Sequence, residues 1–241
     1  MRGKLVRGKL AAFVGLVILG VLPAAAQPAA PAAPQSDRRL FDITRYGNKI
    51  GTEVVEIDKD GATTNITFTT HISVVIAFVQ FYHFDHSATE VWSGGKFVSY
   101  KAQTDDNGTK HEVSAVVDEA NNKLNLDIDG THSEAAPDLV PASWWNKDFV
   151  NRTDMFDSET GRRLSVKVTD LGDESIVQNG NTVQARHYKV SGDLDRDLWF
   201  DGDTLVRIQL TGNDNSTIIS DLREETGGAG DQQSKQDAAP E

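Results

Sequence analysis

The 241-residue chain contains no cysteine. That excludes a disulfide framework, a thiolate metal site, a cysteine nucleophile and a lipidated N-terminal cysteine. Positive charge is also in short supply. Lys and Arg number 24 against 36 Asp and Glu, the formal net charge is −12, and the pI is near 4.9. An excess of acid argues against a nucleic-acid-binding surface. There is no G-x-x-x-x-G-K-[ST] phosphate loop, no G-x-G-x-x-G, no G-x-S-x-G elbow and no H-E-x-x-H. No cofactor is therefore expected. Apart from the N-terminal leader there is no long hydrophobic run, so no membrane span is expected once the leader is removed. The 38% apolar content still suffices for a folded core.

Met1–Ala26 reads as a secretory signal peptide. Arg2, Lys4, Arg7 and Lys9 form the positive start, Ala11–Leu22 the apolar stretch, and Ala24-Ala25-Ala26 the small residues beside the cut. The apolar stretch is about 12 residues, short of the ~20 that a spanning helix needs. Cleavage takes away four bases and no acid, moving the formal charge from −12 to −16. Residues 27–37 (QPAAPAAPQSD) read as an Ala/Pro linker, and 226–241 (TGGAGDQQSKQDAAPE) as a disordered acidic tail. The folded part is expected over 38–225 as one domain. An alanine-rich leader without a lipid-anchor cysteine suits the bacterial periplasm, with release to the medium as the second destination.

The body reads as antiparallel β-sheet. Gly47-Asn48, Asp60-Gly61, Gly94-Gly95, Asn107-Gly108, Asn121-Asn122, Asn179-Gly180 and Asp201-Gly202 are turn signals flanked by alternating runs. Leu164, Val166 and Val168 share one face of one run; Val206, Ile208 and Leu210 share one face of another. Hairpins this close, with no helical spacing between them, exclude a parallel β-α-β fold. The expected architecture is all-β: a strongly curved antiparallel sheet or partly open barrel with little helix. Pro141–Val150, carrying Trp144-Trp145, is expected to form a short helix or irregular plug that closes an open side by packing.

One stretch departs from alternation. In Val74–Phe84 (VVIAFVQFYHF) nine of eleven residues are apolar or aromatic. Read as one strand, it is packed on both faces, lines a ligand cavity, or meets a partner; packing is the plainest of these.

The candidate site adjoins it. If Gly94-Gly95 forms a two-residue turn, Trp92 faces Phe97, Glu90 faces Ser99, Ala88 faces Lys101 and His86 faces Gln103. An apolar face of Val74, Ile76, Phe78, Tyr82 and Phe84 would then run into Trp92 and a polar strip of His86, Glu90, Lys101 and Gln103. The structural reading is a Glu90–Lys101 ion-paired cluster. The functional reading is a ligand whose tail lies on the apolar face and whose head meets the strip. Metal binding is not expected, since His83 and His86 point to opposite faces of a strand.

The ordered pieces Tyr46-Gly47-Asn48-Lys49-Ile50-Gly51, His86…Glu90-Val91-Trp92…Gly95, Thr104-Asp105-Asp106-Asn107-Gly108, Trp145-Asn146, Thr160-Gly161 and Asp197-Leu198-Trp199-Phe200 carry a resemblance. From about Tyr46 to Leu222 the chain resembles an uncharacterised family of exported proteobacterial proteins, classed only as a domain of unknown function. The resemblance implies an exported β-rich protein and brings no catalytic residues. More distantly, the architecture is similar to that of the LolA-like lipoprotein carriers, whose curved sheet partly encloses an apolar hollow; likeness of fold does not fix function.

Three functions are compatible with these features. The first is a non-enzymatic periplasmic protein that binds or carries an apolar or amphipathic envelope molecule. The second is a structural module with a filled core that docks an envelope protein. The third is an unidentified enzyme using His86 and Glu90 as acid and base. It is disfavoured, because on a straight strand they stand ~13 Å apart.

Overall fold

The computed structural model describes residues 34–227, except Asn179 and Asn213. The signal peptide expected over Met1–Ala26, most of the expected linker and all but the start of the acidic tail lie outside these residues. The end of the linker does not: Ser36 and Asp37 pair with Asp58 and Ile57, so the first strand begins inside it.

Fourteen strands run in chain order: β1 (Gln35–Arg45), β2 (Asn48–Asp60), β3 (Thr63–Ile76), β4 (Val79–Ser93), β5 (Lys96–Asp106), β6 (Thr109–Asp118) and β7 (Lys123–Ile128), then β8 (Thr131–Ala135), β9 (Asp154–Phe156), β10 (Arg163–Gln178), β11 (Asn181–Gly192), β12 (Arg196–Asp201), β13 (Thr204–Thr211) and β14 (Thr217–Thr226). They form one antiparallel sheet in the order β8-β7-β6-β5-β4-β3-β2-β1-β14-β13-β12-β11-β10-β9. Apart from β8 and β9, consecutive strands pair, and β1 pairs with β14, so the two halves of the meander are joined through the first and last strands. The sheet is an open-sided barrel whose free edges are β8 and β9. Among the described residues the helical content is one 3-10 turn, Asp148–Asn151.

The open side is filled by the connection from β8 to β9. Residues 136–153 cross it as an irregular plug, and its backbone joins edge strand β9: the Ala142 N–H donates to the Phe156 carbonyl (2.9 Å) and the Phe156 N–H to the Val140 carbonyl (2.9 Å). An otherwise bare edge is thereby covered. Aromatic contacts carry the closure inward. Trp145 meets Trp92 at 6.0 Å between centroids, Trp92 meets Phe97 at 5.8 Å, Phe97 meets Phe156 at 6.3 Å, and Phe156 meets Tyr100 at 5.5 Å. From the same plug, Phe149 packs on Tyr188 of β11 and Phe200 of β12. Ile66, Val113, Leu124, Leu164, Val190 and Leu198 complete one contiguous inner core. Edge-to-face rings of this kind add to what their buried area contributes.

The β9–β10 turn seals one end of the barrel. The Tyr100 hydroxyl donates to the Ser158 carbonyl (2.7 Å), and the Thr104 hydroxyl to the Glu159 carbonyl (3.0 Å). Gly161 sits there at φ +72, where a Cβ would stand 2.7 Å from Ile128. Only glycine lets the turn lie this close to β6 and β7.

Two expectations are corrected by bulges and turns. The Leu205–Leu210 run does not keep one face: a bulge opposite Trp199/Phe200 puts Leu205 and Ile208 with the inner core and Val206 with a smaller outer cluster of Ile176, Ala185 and Trp199. Val74–Phe84 is not one strand. It turns back on itself at Ala77-Phe78, both at positive φ (50° and 68°), and the β3–β4 hairpin closes there. Positive φ at both central positions is the geometry that Asn-Gly normally supplies, and a non-glycine pair there carries strain. The turn is illegible in the sequence because Ala-Phe carries no turn signal.

That strain gives a measurable expectation. Ala77→Asn with Phe78→Gly relaxes the turn, and amide exchange over residues 73–83 should slow about tenfold while β6 and β7 are unaffected. Faster exchange in the double variant would contradict the strained-turn geometry.

Candidate functional site

Strand β4 alternates strictly over its second half: Phe84, His86, Ala88, Glu90 and Trp92 are buried and face inward, as the parity argument requires. The cross-strand pairing differs from expectation. Trp92 faces Phe97, but a bulge at Val91/Trp92 shifts everything beyond it, so Glu90 faces Tyr100, Ala88 faces Ala102 and His86 faces Thr104. Lys101 thereby pairs with Thr89 on the outer face and is exposed. The structure does not bring Lys101 to Glu90. A single inserted residue reverses every later side chain.

Glu90 is instead gripped by tryptophans. Its Oε1 accepts the indole N–H of Trp145 at 3.0 Å and that of Trp92, and the Ser143 hydroxyl lies beside the carboxyl. The Oε2 atom has no hydrogen-bond partner, and the side chain has no solvent exposure. Burial raises its pKa to about 7, against the hydrogen bonds from Ser143, Trp145 and Trp92, which lower it. Arg39, buried between Asp37 and Glu225, donates to the Trp145 carbonyl at 3.3 Å. Trp145 is thus held at its carbonyl by β1 and at its indole by β4. In the sequence Glu90 and the tryptophan pair stand apart; only the fold of the plug joins them. The void lined by Trp92, Ser143, Trp144, Trp145 and Phe149 is about 10 Å³, room for a single water at most.

Nearer the sealed end lies a second set of inward polar groups. His86 Nδ1 stands 2.9 Å from the Thr104 hydroxyl, and burial pushes its pKa down to about 4, so the ring is neutral in the fold. The Glu53 carboxyl, hydrogen-bonded to Thr70, and the Glu159 carboxyl, near Asp157 and Arg196, are each raised to about 7, chiefly by burial. Tyr82 hydrogen-bonds Asp106. Glu53, Glu159 and Arg196 do not stand out in the sequence: Glu53 reads as the polar position of an alternating strand, and Glu159 and Arg196 are each surrounded by other charges, Asp157 and Arg162 for the one, Asp195 and Asp197 for the other. Among the described residues no three His, Asp or Glu side chains gather as metal ligands. His86 and Glu90 do not meet across a cleft: they lie four residues apart on one strand, and Glu90 is sealed.

The apolar half of the expected site goes elsewhere. Val74 is half-buried near the base of the β3–β4 hairpin, Phe84 is buried in the barrel, and the Ile76 side chain lies outside the described residues. Phe78, at the turn, is fully exposed (103%), with Phe81 at 60% and Val75 and Val79 at 57% each. Pairing of β3 with β2 ends at Ile72, and that of β4 with β5 at Phe84. Residues 73–83 therefore form a two-stranded ribbon standing about 13 Å beyond the sheet.

A different cleft, about 300 Å³, lies beside the plug and is lined by Asp138, Leu139, Arg152, Thr153, Asp154 and Arg163. Its arginines are engaged: Arg152 by Asp148 and the Asp138 carbonyl, Arg163 by Asp154.

Comparison with known sequences assigns the family. The profile of the family described as "Domain of unknown function (DUF6134)" matches residues 41–223, and the chain belongs to that family. No curated protein matches it. Among solved structures it is similar to a β-barrel-like protein of domain of unknown function DUF1849 from Brucella abortus: TM-score 0.56 at 11% identity, covering 80% of this chain and 98% of that one. At that identity the likeness is one of fold.

Buried carboxyls and a buried neutral imidazole set the pH dependence of stability. Between about pH 4.5 and 7 the unfolded chain has released the protons that Glu53, Glu90 and Glu159 retain in the fold, so stability falls as pH rises through that window. His86 acts oppositely: between about pH 6.5 and 4 the unfolded chain takes up a proton that the fold refuses, so stability falls as pH falls. Three carboxyls outweigh one imidazole, and urea unfolding should show lower stability at pH 8 than at pH 5.5. Glu90→Gln keeps an oxygen for the indoles and removes the titration. It should recover part of that loss, on the order of 3 kcal/mol or less, whereas Glu90→Ala leaves two buried indole donors unpaired and should cost about 2–4 kcal/mol at either pH. A pH-independent wild type would contradict the raised carboxyl.

Proposed function

We propose that this protein is a non-enzymatic docking module of the bacterial envelope, exported by its leader to the periplasm, in which a filled barrel presents the β3–β4 ribbon to an apolar surface. The observation that carries the reading is the exposure of Val75, Phe78, Val79 and Phe81 together at the end of a ribbon, above a core that is otherwise well buried. Contiguous exposed apolar side chains mark interaction sites in folded proteins. A chain selected only to fold would not keep Phe78 in water on a left-handed backbone; the strain and the exposure are both accounted for if the tip is covered in use.

The carrier reading, with a tail buried against Phe84 and Trp92, has less support. The concave side is occupied by Trp145, Phe149 and Phe156, and the 10 Å³ void beside Trp92 admits no lipid tail. The residues expected to hold the head are separated: Glu90 is sealed by indoles and Lys101 is outside.

The test is fractionation of an expressing bacterium. Wild-type protein is expected with the envelope fraction. A Phe78→Ser/Phe81→Ser variant should be recovered in the soluble periplasmic fraction with its unfolding free energy within about 0.5 kcal/mol of wild type. Identical fractionation of both proteins would overturn the docking reading. A stoichiometric lipid in the native mass spectrum of the double variant would restore the carrier.

A further inference from the structure

We infer that the surface covered by the β3–β4 ribbon is a lipid bilayer, entered by the ribbon tip at the level of headgroups and first acyl carbons. The inference rests on the docking reading above and names its partner. Four features favour lipid over a protein groove.

The first is that apolar groups occupy both faces of the ribbon. Val75 pairs with Gln80 and Val79 with Ile76, one step further along, so these two valines point to opposite faces, and both are more than half exposed, as is Phe81 at the bulge between Gln80 and Tyr82. A groove grips one face and leaves the other in water. A bilayer surrounds an inserted tip on every side.

The second is charge. From Ile72 to Tyr82 there is no Asp, Glu, Lys or Arg. At the base, Tyr82 hydrogen-bonds Asp106, and His71 and His83 stand against Asp85 (2.6 Å) and Asp105 (3.2 Å), so each flanking imidazole has an acidic partner. The apolar segment thus ends at a polar collar.

The third is depth. The ribbon stands about 13 Å beyond its neighbours, and amphipathic elements bury roughly 5–10 Å into the headgroup and acyl boundary. Only the last two residue pairs need pass the headgroups. The backbone groups on the outer edges of the ribbon then stay where water reaches them, which a deeper insertion would not permit.

The fourth is the turn itself. Ala77-Phe78 places the largest apolar side chain at the apex, fully exposed, where a turn-optimised sequence would have a polar residue and glycine.

The acidic body fixes the kind of bilayer. At −12 for the whole chain, and −16 once the four leader bases are cut away, the protein is repelled by anionic headgroups, so attachment comes from apolar burial and not from charge. Zwitterionic lipid is the favoured surface.

Vesicle flotation of the protein recovered after export tests this, with phosphatidylethanolamine–phosphatidylcholine vesicles as the probe. Wild type should float with the vesicles, nearly unchanged between about 0.05 and 0.5 M salt, and less well when phosphatidylglycerol replaces part of the lipid. Phe78→Ser should weaken binding about tenfold or more. Phe78→Trp should retain or strengthen it. Val116→Ser, at another exposed apolar side chain on β6, should leave it unchanged. Wild type failing to float while envelope fractionation still depends on Phe78 would overturn the bilayer inference and leave docking intact, with a protein as partner. Flotation that survives Phe78→Ser, or that requires phosphatidylglycerol and disappears in high salt, would overturn it as well.

Discussion

A carboxyl with no access to water holds this molecule shut. Glu90 on β4 accepts the indoles of Trp92 and Trp145, and through Trp145 it fixes the plug that spans the gap between the two edges of the sheet. The bond is costly in isolation, since a buried carboxyl with one unpartnered oxygen lies near its own neutralisation point. It persists because the alternative is an open-sided sheet with Trp92, Phe97, Phe156 and Phe149 in solvent. Arg39 holds the other end of Trp145 through its carbonyl, so the plug is tied to two strands on the far side of the open edges.

This closure moves the surface available for function from the inside of the barrel to the outside. Curved antiparallel sheets that enclose a hollow can use it for a ligand. Here the hollow is taken by the protein's own aromatic side chains, and the charged groups on the inner wall are sealed or tied into the end formed by the β9–β10 turn. Groups with shifted pKa values commonly mark functional sites. In this fold Glu90 and His86 owe their shifts to burial in service of packing. Of the eight large apolar side chains exposed among the described residues, four (Val75, Phe78, Val79 and Phe81) are gathered on the ribbon, where the β3–β4 hairpin outruns the strands on either side of it.

The sequence discloses a good deal of this, unevenly. Turn pairs such as Gly94-Gly95 and Asn107-Gly108 place the hairpins, because positive φ is a local requirement with a local signature. The inward parity of Phe84, His86, Glu90 and Trp92 is legible for the same reason, within one strand. Pairing between strands is not: the Val91/Trp92 bulge leaves no mark in composition, and it alone sends Lys101 to the outside. The Val74–Phe84 run misleads because an apolar segment without a turn signal looks like a buried strand; nothing in VVIAFVQF announces that Ala77-Phe78 reverses the chain. The Glu90–Trp145 contact joins residues 55 apart through an irregular segment, which no periodicity can foretell.

Membership of the DUF6134 family and the barrel-like neighbour establish the architecture; the assignment of docking to the ribbon rests on this chain's own surface. The most direct measurement is carbene footprinting of the protein with and without envelope membranes, read residue by residue. The account predicts strong labelling of Phe78 and Phe81 in the isolated protein, protection of both on adding membranes, and no labelling of Trp92 or Phe156 in either state. Labelling of Trp92 and Phe156 that lipid then suppresses, with Phe78 unchanged, would show an open interior that binds ligand and would contradict it.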